Sequence, residues 1–227
     1  MTRVKICGIT NEADIDLSVS EGAWALGFVV EYPMDVPWNL DRDTAGKLME
    51  KVPPFVSRVI VVGDDPDTVA ELTDYLRPHV VQLHGNETVS QTAALTSLIH
   101  ELGSQVIKPL RFFAETGKCE SSPDNPVDAA KQIEAAGVDA LVLDSVSSIR
   151  PAGTGKSIDW RVAASIKDQL NMPVILAGGL NSGNVGRAVA EVRPYGVDVI
   201  SGVEERAGKK DPEKINAFFR ALKQKIF

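Results

Sequence analysis

The chain has 227 residues, of which 24 are Lys or Arg and 31 are Asp or Glu, so its formal net charge is −7. A chain of this length forms one or two domains, and α/β barrels commonly use about 200–250 residues as a single unit. The negative balance, without a block of like charges, argues against a nucleic-acid partner.

Cysteine usage and hydropathy bear on the compartment of the protein. Cys7 and Cys119 are far apart, and their spacing fits neither a disulfide framework nor a zinc site. Charged residues interrupt residues 1–20, which argues against a signal peptide. No stretch approaches the roughly 20 apolar residues of a membrane span. We therefore expect a cytoplasmic protein without a membrane partner.

Short apolar runs recur along the chain, and most are continuous rather than alternating, which is typical of strands covered on both faces. They lie at residues 4–7, 24–30, 56–62, 80–83, 105–110, 138–144, 172–178 and 197–202. The segments between them predict amphipathic helices, and several carry start signals, namely Asn11, Asp41, Pro66 and Asp211-Pro212. The last helix has one apolar stripe, formed by Ile215, Phe218, Phe219, Leu222 and Ile226.

Eight strand–helix units fill the chain. An open doubly wound sheet usually has fewer strands and a switch point, so eight units favour an α/β fold closed into a (β/α)₈ TIM barrel. We predict a single barrel domain over residues 1–227. Residues 111–128 depart from the rhythm, since they are rich in Ser, Pro, Asp and Gly, and they predict an extended βα loop after the fifth strand.

Glycines follow the last three predicted strands, in Gly153-Thr154-Gly155, Gly178-Gly179 and Ser201-Gly202. Barrel active sites lie at the C-terminal ends of the strands, and the loops after strands seven and eight are the usual phosphate site. Glycine lets backbone N–H groups approach an anion closely. The pattern therefore predicts a phosphorylated small-molecule substrate, the alternative being that these glycines only terminate strands.

Two titratable side chains end different predicted strands, Cys7 on the first and Asp144 on the sixth. A thiolate is a competent base, and an Asp among apolar neighbours can retain its proton. The two residues therefore form a candidate base and acid. The alternative interpretations are that Cys7 is a small buried hydrophobe and that Asp144 caps a turn.

Six segments carry a family resemblance: VKICGITN at 4–11, VQLHG at 81–85, LVLDS at 141–145, GTGKSIDW at 153–160, LAGGLNSGNV at 176–185 and VDVISGVEERAGKKD at 197–211. Together they resemble the phosphoribosylanthranilate isomerases, (β/α)₈-barrel enzymes of the ribulose-phosphate-binding type that act in tryptophan biosynthesis. The resemblance extends from residue 4 to about residue 215. It therefore covers nearly the whole chain.

The resemblance implies an Amadori rearrangement of N-(5-phosphoribosyl)anthranilate to 1-(2-carboxyphenylamino)-1-deoxyribulose 5-phosphate, with no metal or organic cofactor. It gives Cys7 the role of general base and Asp144 that of general acid. Substrate contacts are expected from residues at strand ends, namely His84, Gly155, Gly178, Gly179, Asn181, Ser201 and Gly202. A helix cap is the alternative role for Asn181, and packing or loop support is the alternative for His84.

One position departs from the family pattern. The family usually has an Arg after strand two that pairs with the anthranilate carboxylate, and the aligned position here is Trp38. Trp can stack on the anthranilate ring but cannot neutralise its charge. Arg111 at the end of strand five is a better substitute than Arg3 or Arg42. Either a relocated cation reads the carboxylate, or the substrate binds more weakly, or the specificity has changed.

Other functions compete with this one. The related isomerase of histidine biosynthesis would have Asp in place of Cys7 and a second phosphate site in the first half of the barrel, and the sequence has neither. Indole-glycerol-phosphate synthase needs a catalytic Lys, for which Lys108 is the candidate. A third possibility is a non-catalytic or altered-specificity barrel that binds a phosphorylated sugar metabolite, which Trp38 alone favours. Monomer and homodimer fit the sequence equally well.

Overall fold

Parallel strands alternate with helices along the residues that the computed structural model describes, which are 2–113, 116, 118–120, 125–146 and 157–223. The barrel strands are β1 (Arg3–Ile6), β2 (Ala25–Val30), β3 (Ser57–Val62), β4 (Val80–Leu83), β5 (Gln105–Phe113), β6 (Ala140–Val146), β7 (Val174–Leu176) and β8 (Gly196–Val199). The helices are α1 (Glu12–Glu21), α2 (Arg42–Met49), α3 (Pro66–Leu76), α4 (Val89–Glu101), α5 (Pro126–Ala135), α6 (Trp160–Gln169), α7 (Val185–Val192) and α8 (Pro212–Lys223).

The eight strands form a closed barrel. Neighbours in the chain pair in parallel from β2 to β8, and β1 is hydrogen-bonded to both β2 and β8. At this closure, Lys5 of β1 is in register with Asp198 of β8. The predicted TIM barrel is therefore confirmed, and the open doubly wound sheet is excluded.

Two short additions lie beside the C-terminal ends of the strands. Asn39–Leu40 pairs in parallel with the end of β2, and Glu204–Arg206 forms an antiparallel hairpin with Lys209–Lys210 after β8. A 3₁₀ turn over Ser201–Val203 connects β8 to that hairpin. These additions give the loops after β2 and β8 a defined course near the barrel mouth.

The helices begin at the predicted signals. The Asn11 side chain accepts a hydrogen bond from the Asp14 N–H at 3.0 Å, and Asp41 accepts one from the Thr44 N–H at 2.7 Å. Such bonds satisfy N–H groups that have no partner within the first helical turn. In α8 the stripe residues Ile215, Phe218 and Phe219 are buried and Leu222 is half-buried. Ile226 lies outside the described residues.

The apolar side chains of the described residues form three clusters. The largest fills the space between the strands and the helices. The smallest lies near the C-terminal ends of β1, β2 and β3 and consists of Cys7, Val29, Trp38 and Val61. The third lies inside the barrel and consists of Val59, Ile107, Ala140, Val142 and Ala177. The barrel interior is therefore a packed core and not a channel, which restricts ligand access to the ends of the strands.

The extended loop predicted for residues 111–128 needs correction at both ends. Strand β5 continues to Phe113, and helix α5 begins at Pro126. The Glu120 N–H donates to the Arg111 carbonyl at 2.8 Å, and Phe113 donates to Lys118 at 2.9 Å. Residues 118–120 thus pair with the end of β5 and satisfy the hydrogen-bonding groups of its backbone. The amino-acid composition of the segment does not show this pairing.

Candidate active site

A cavity of about 500 Å³ opens at the C-terminal ends of the strands. Most of the residues expected in the site line it, namely Cys7, His84, Arg111, Asp144, Gly178, Gly179, Ser201 and Gly202. Gly155 lies outside the described residues, as do the rest of 147–156. The cavity collects strand ends from both halves of the chain, so the barrel brings together residues that are distant in sequence.

Cys7 directly follows β1 and faces the cavity. Its side chain is 8 % exposed, and its backbone N–H donates to the Val199 carbonyl of β8 at 2.9 Å. Burial raises the pKa of the thiol, while the ammonium of Lys5 opposes that rise. A thiolate at this position is a strong base, because the same burial that disfavours its charge increases its affinity for a proton.

Asp144 lies near the end of β6 and also lines the cavity. Burial, with a smaller contribution from the negative charge of Asp198, raises the pKa of the Asp144 carboxyl to about 6. The Ser145 N–H donates to Asp144 Oδ1 at 2.8 Å and partly opposes that rise. Asp144 therefore holds its proton to a higher pH than an ordinary carboxylic acid and can deliver it to a ligand.

Glycine loops form one end of the cavity. Gly178 and Gly179 have φ angles of +75° and +62°, in the left-handed region that favours glycine. A Cβ atom on Gly178 would overlap Ser145, and one on Gly202 would overlap the Leu180 carbonyl. The loop after β7 therefore approaches the end of β6 and the turn after β8 more closely than side chains would allow, which suits a site made from backbone groups.

Asn181 is engaged in the turn before α7. Its side-chain oxygen accepts from the Gly183 N–H at 2.9 Å, and its amide nitrogen lies 3.3 Å from the Gly179 carbonyl. Helix α7 begins at Val185 with Asn184 at the cap position. Asn181 is thus neither the cap of α7 nor among the described residues that line the cavity. It shapes the Gly178-Gly179 turn instead.

Trp38 also lines the cavity. Its indole N–H donates to Glu204 Oε1 at 2.7 Å, and the ring is 7 % exposed. Glu204 in turn pairs with the buried Lys210 at 2.9 Å. The position at which the family resemblance predicts an Arg therefore presents an apolar surface here, and the nearby ammonium of Lys210 is already paired with Glu204.

Arg111 is the one cationic side chain among the described residues that line the cavity. Its Nε is 2.5 Å from Glu120 Oε2, and its Nη2 is 2.5 Å from Asn86 Oδ1. His84 nearby is neutral, since burial together with the charges of Arg111, Lys108 and Lys5 lowers its pKa to about 3. A ligand carboxylate that paired with a cation in this part of the cavity would therefore have to replace Glu120 on Arg111.

Three polar groups inside the barrel are not among the predicted catalytic residues and substrate contacts. Lys5 and Asp198 form an ion pair, and Gln82 lines the cavity. Each is a polar residue within an otherwise apolar strand, and that interruption is the sequence signal that could have identified them. Lys108, the candidate for a synthase, is held by Glu87 and by the Leu83 and Gly85 carbonyls. It is not among the described cavity-lining residues.

Comparisons with known proteins agree with this geometry. Residues 4–221 match the family model described as "N-(5'phosphoribosyl)anthranilate (PRA) isomerase". The chain belongs to this family. The isomerase of Methanopyrus kandleri is 40% identical over 223 residues, which cover 98% of this chain and 99% of that protein.

Solved members of the isomerase family have the same fold. The crystal structure of the Thermotoga maritima isomerase has a TM-score of 0.81 and 35% identity, covering 98% of this chain and 99% of that one. A second structure holds reduced 1-(o-carboxyphenylamino)-1-deoxyribulose 5-phosphate, with a TM-score of 0.78, 33% identity and the same coverage. The similarity therefore includes nearly the full length of both chains.

No helix in the described ranges of this isomerase-family chain has both the length and the apolar character that a membrane span requires. Nor do those residues contain a group of three or more His, Cys, Asp or Glu arranged to hold a metal ion.

We expect Gly202→Ala to weaken the binding of inorganic phosphate about tenfold or more, because the Cβ would force the backbone away from Leu180. Titration calorimetry measures this change. Gly46→Ala is the matched control, since a Cβ at Gly46 would meet only Leu76 at 3.5 Å. Equal phosphate affinity in folded Gly202→Ala and wild type would contradict a phosphate site at this loop.

Proposed function

We propose that this chain catalyses the Amadori rearrangement of N-(5-phosphoribosyl)anthranilate in tryptophan biosynthesis. The observation that carries the proposal is that Cys7 and Asp144 line one cavity with the glycine loops after β7 and β8. Family membership supports the substrate, and a similar solved structure holds a reduced product analogue. The site draws on β1 and β6, so we propose that the chain acts as one domain.

Two groups of residues hold the substrate, the glycine loops at its phosphate and Arg111 at its carboxylate. Backbone groups of Gly178, Gly179, Ser201 and Gly202 hold the phosphate at one end of the cavity. The glycine backbone there permits the close approach that a phosphate requires. Fixing both ends of the substrate places its reacting carbons between acid and base, which lowers the entropic part of the barrier.

Asp144 performs the first proton transfer. Its raised pKa, about 6, keeps a fraction of the carboxyl groups protonated near neutral pH. That proton goes to the furanose ring oxygen, and the C1′–oxygen bond breaks while the anthranilate nitrogen supplies an electron pair. The product of this step is an open-chain iminium ion, whose positive nitrogen acidifies the adjacent C2′ proton.

Cys7 performs the second transfer. Its thiolate removes the C2′ proton, and the electrons of the C–H bond form the double bond of an enolamine while neutralising the iminium nitrogen. The enolamine then tautomerises to the ketone. The overall reaction moves protons and electron pairs within one molecule, so it is balanced without an external oxidant or reductant.

The kinetic test of the function uses freshly generated phosphoribosylanthranilate and follows the decay of its fluorescence. We expect Cys7→Ala and Asp144→Ala each to lower kcat by about 10²-fold or more, because each removes a proton-transfer group. Cys119→Ser is the matched control and should retain wild-type kcat. A folded wild-type protein that binds phosphate but leaves the substrate unchanged would instead support the non-catalytic or altered-specificity barrel.

The pH dependence follows from the two raised pKa values. Below about pH 6, both Asp144 and Cys7 are protonated, so the base is missing. Above the raised pKa of Cys7 both have lost their protons, so the acid is missing. We expect a bell-shaped profile of kcat/KM with its acid limb near pH 6. Steady-state rates over the range measure it, and a profile that is flat through pH 6 would contradict these assignments.

Arg111 is the proposed partner of the anthranilate carboxylate, with Trp38 as an apolar surface for the ring. The substrate carboxylate would replace Glu120 on the guanidinium, because both groups offer the same pair of oxygens. We expect Arg111→Met to raise KM about tenfold and Glu120→Gln to lower it, with smaller changes in kcat. The exposed Arg77→Met is the control, and unchanged KM in Arg111→Met would refute this assignment.

Other properties of the chain stay predictions. A phosphorylated small molecule is the proposed partner. The two cysteines support the proposed cytoplasmic location. Monomer and homodimer both remain compatible with the described residues.

A further inference from the structure

A buried ion pair spans the closure of the barrel, and its Asp198 lines the cavity. Lys5 Nζ on β1 lies 2.7 Å from Asp198 Oδ2 on β8, and the side chains are 6% and 8% exposed. Two charges removed from water in this way carry a large desolvation cost, which their mutual attraction offsets only with close geometry. Neither of the proton transfers proposed for Asp144 and Cys7 uses this pair.

The ammonium of Lys5 lies beside the sulfur of Cys7. The two residues are two positions apart around the end of β1, so their side chains point into the barrel together. Both crowd Gly27 of β2, where an added Cβ would lie 2.7 Å from Cys7 Sγ and 3.1 Å from Lys5 Nζ. The absence of a side chain at Gly27 therefore makes room for the lysine and the thiol to meet.

When Cys7 and Asp144 share one proton, a change of pH does not determine which of the two groups carries it. With one proton between them, the pair exists as thiolate and carboxylic acid or as thiol and carboxylate. Only the first state can react, because the base must be free and the acid loaded. Both states bind the same number of protons, so their ratio is independent of pH and depends on the local charges.

We propose that Lys5 and Asp198 are positioning residues whose ion pair stabilises the reactive state, with its positive end at Cys7 and its negative end acting on Asp144. This inference rests on the proposed isomerase function. The proposed role of the ion pair is to determine which of Cys7 and Asp144 carries the proton, rather than to bind the substrate.

The charges around each catalytic group support this orientation. Lys5 is the strongest charged influence on Cys7 and lowers the pKa of the thiol, outweighing the opposite effect of Asp198, and Lys210 also lowers it. Asp198 is the strongest charged influence on Asp144 and raises the pKa of its carboxyl, whereas Lys5 and Arg111 lower it more weakly. The ion pair thus favours a thiolate at one group and an acid at the other.

The test measures Cys7 ionisation without substrate, as the rate of iodoacetamide alkylation against pH in a Cys119→Ser background. Lys5→Gln removes the positive end, so we expect alkylation near neutral pH to slow about tenfold. Asp198→Asn removes the negative end and leaves the thiolate as the anion that can pair with Lys5, so alkylation should accelerate. Both variants should lower kcat about tenfold or more, with KM changed much less.

Opposite shifts in alkylation with parallel losses of kcat are the signature of the proposal, because general damage would move both variants in the same direction. Lys108→Gln with Glu87→Gln is the matched control, a buried ion pair whose loss should leave the alkylation profile unchanged. Equal or absent shifts in folded Lys5→Gln and Asp198→Asn overturn the proposal. If Lys5→Gln does not fold, accelerated alkylation in Asp198→Asn decides alone. Failure of wild type to turn over the substrate would instead refute the isomerase function, since alkylation is independent of it.

Discussion

Hydrogen bonding between β1 and β8 closes the barrel, and the candidate site depends on that closure. It places Lys5 opposite Asp198, residues separated by 193 positions in the chain. The same contact fixes Cys7 through its backbone bond to Val199 and brings it near the Ser201-Gly202 turn. A barrel that failed to close would separate the proposed base from the glycine loops after β7 and β8, so the fold and the proposed chemistry depend on one set of backbone bonds.

Burial shifts the pKa of both proposed catalytic groups in the same direction inside this closed sheet. It raises the pKa of Asp144 into a range useful for proton donation, and it raises that of Cys7 as well. An unpaired carboxylate or ammonium in the same interior would carry a large desolvation free energy, which Lys5 and Asp198 offset by forming an ion pair. A charged residue within an otherwise apolar strand is unfavourable for folding, and such exceptions are typical of functional positions.

Much of this architecture is predictable because its signals are local. Continuous apolar runs identify the eight strands, side-chain caps such as Asn11 identify helix starts, and the strand ends bring Cys7 and Asp144 to one face. The sequence does not show which distant side chain completes each contact, so the bond from Trp38 to Glu204 is not predictable. The continuation of β5 to Phe113 is missed for the same reason, since its partners at 118–120 are set by backbone pairing.

Because the net charge is −7, the barrel mouth has no surplus of positive charge for an anion. An anionic ligand that pairs with a cationic side chain there must instead replace a protein carboxylate. Among the described residues near the cavity, Lys5 is paired with Asp198, Lys210 with Glu204 and Arg111 with Glu120. The first two pairs are buried, whereas Glu120 belongs to the short segment that folds back on the end of β5. Exchange of Glu120 for a ligand carboxylate leaves the number of ion pairs on Arg111 unchanged. That exchange is therefore less costly than breaking either buried pair. For this reason we propose the guanidinium of Arg111, and not the ammonium nearest Trp38, as the partner of the substrate carboxylate.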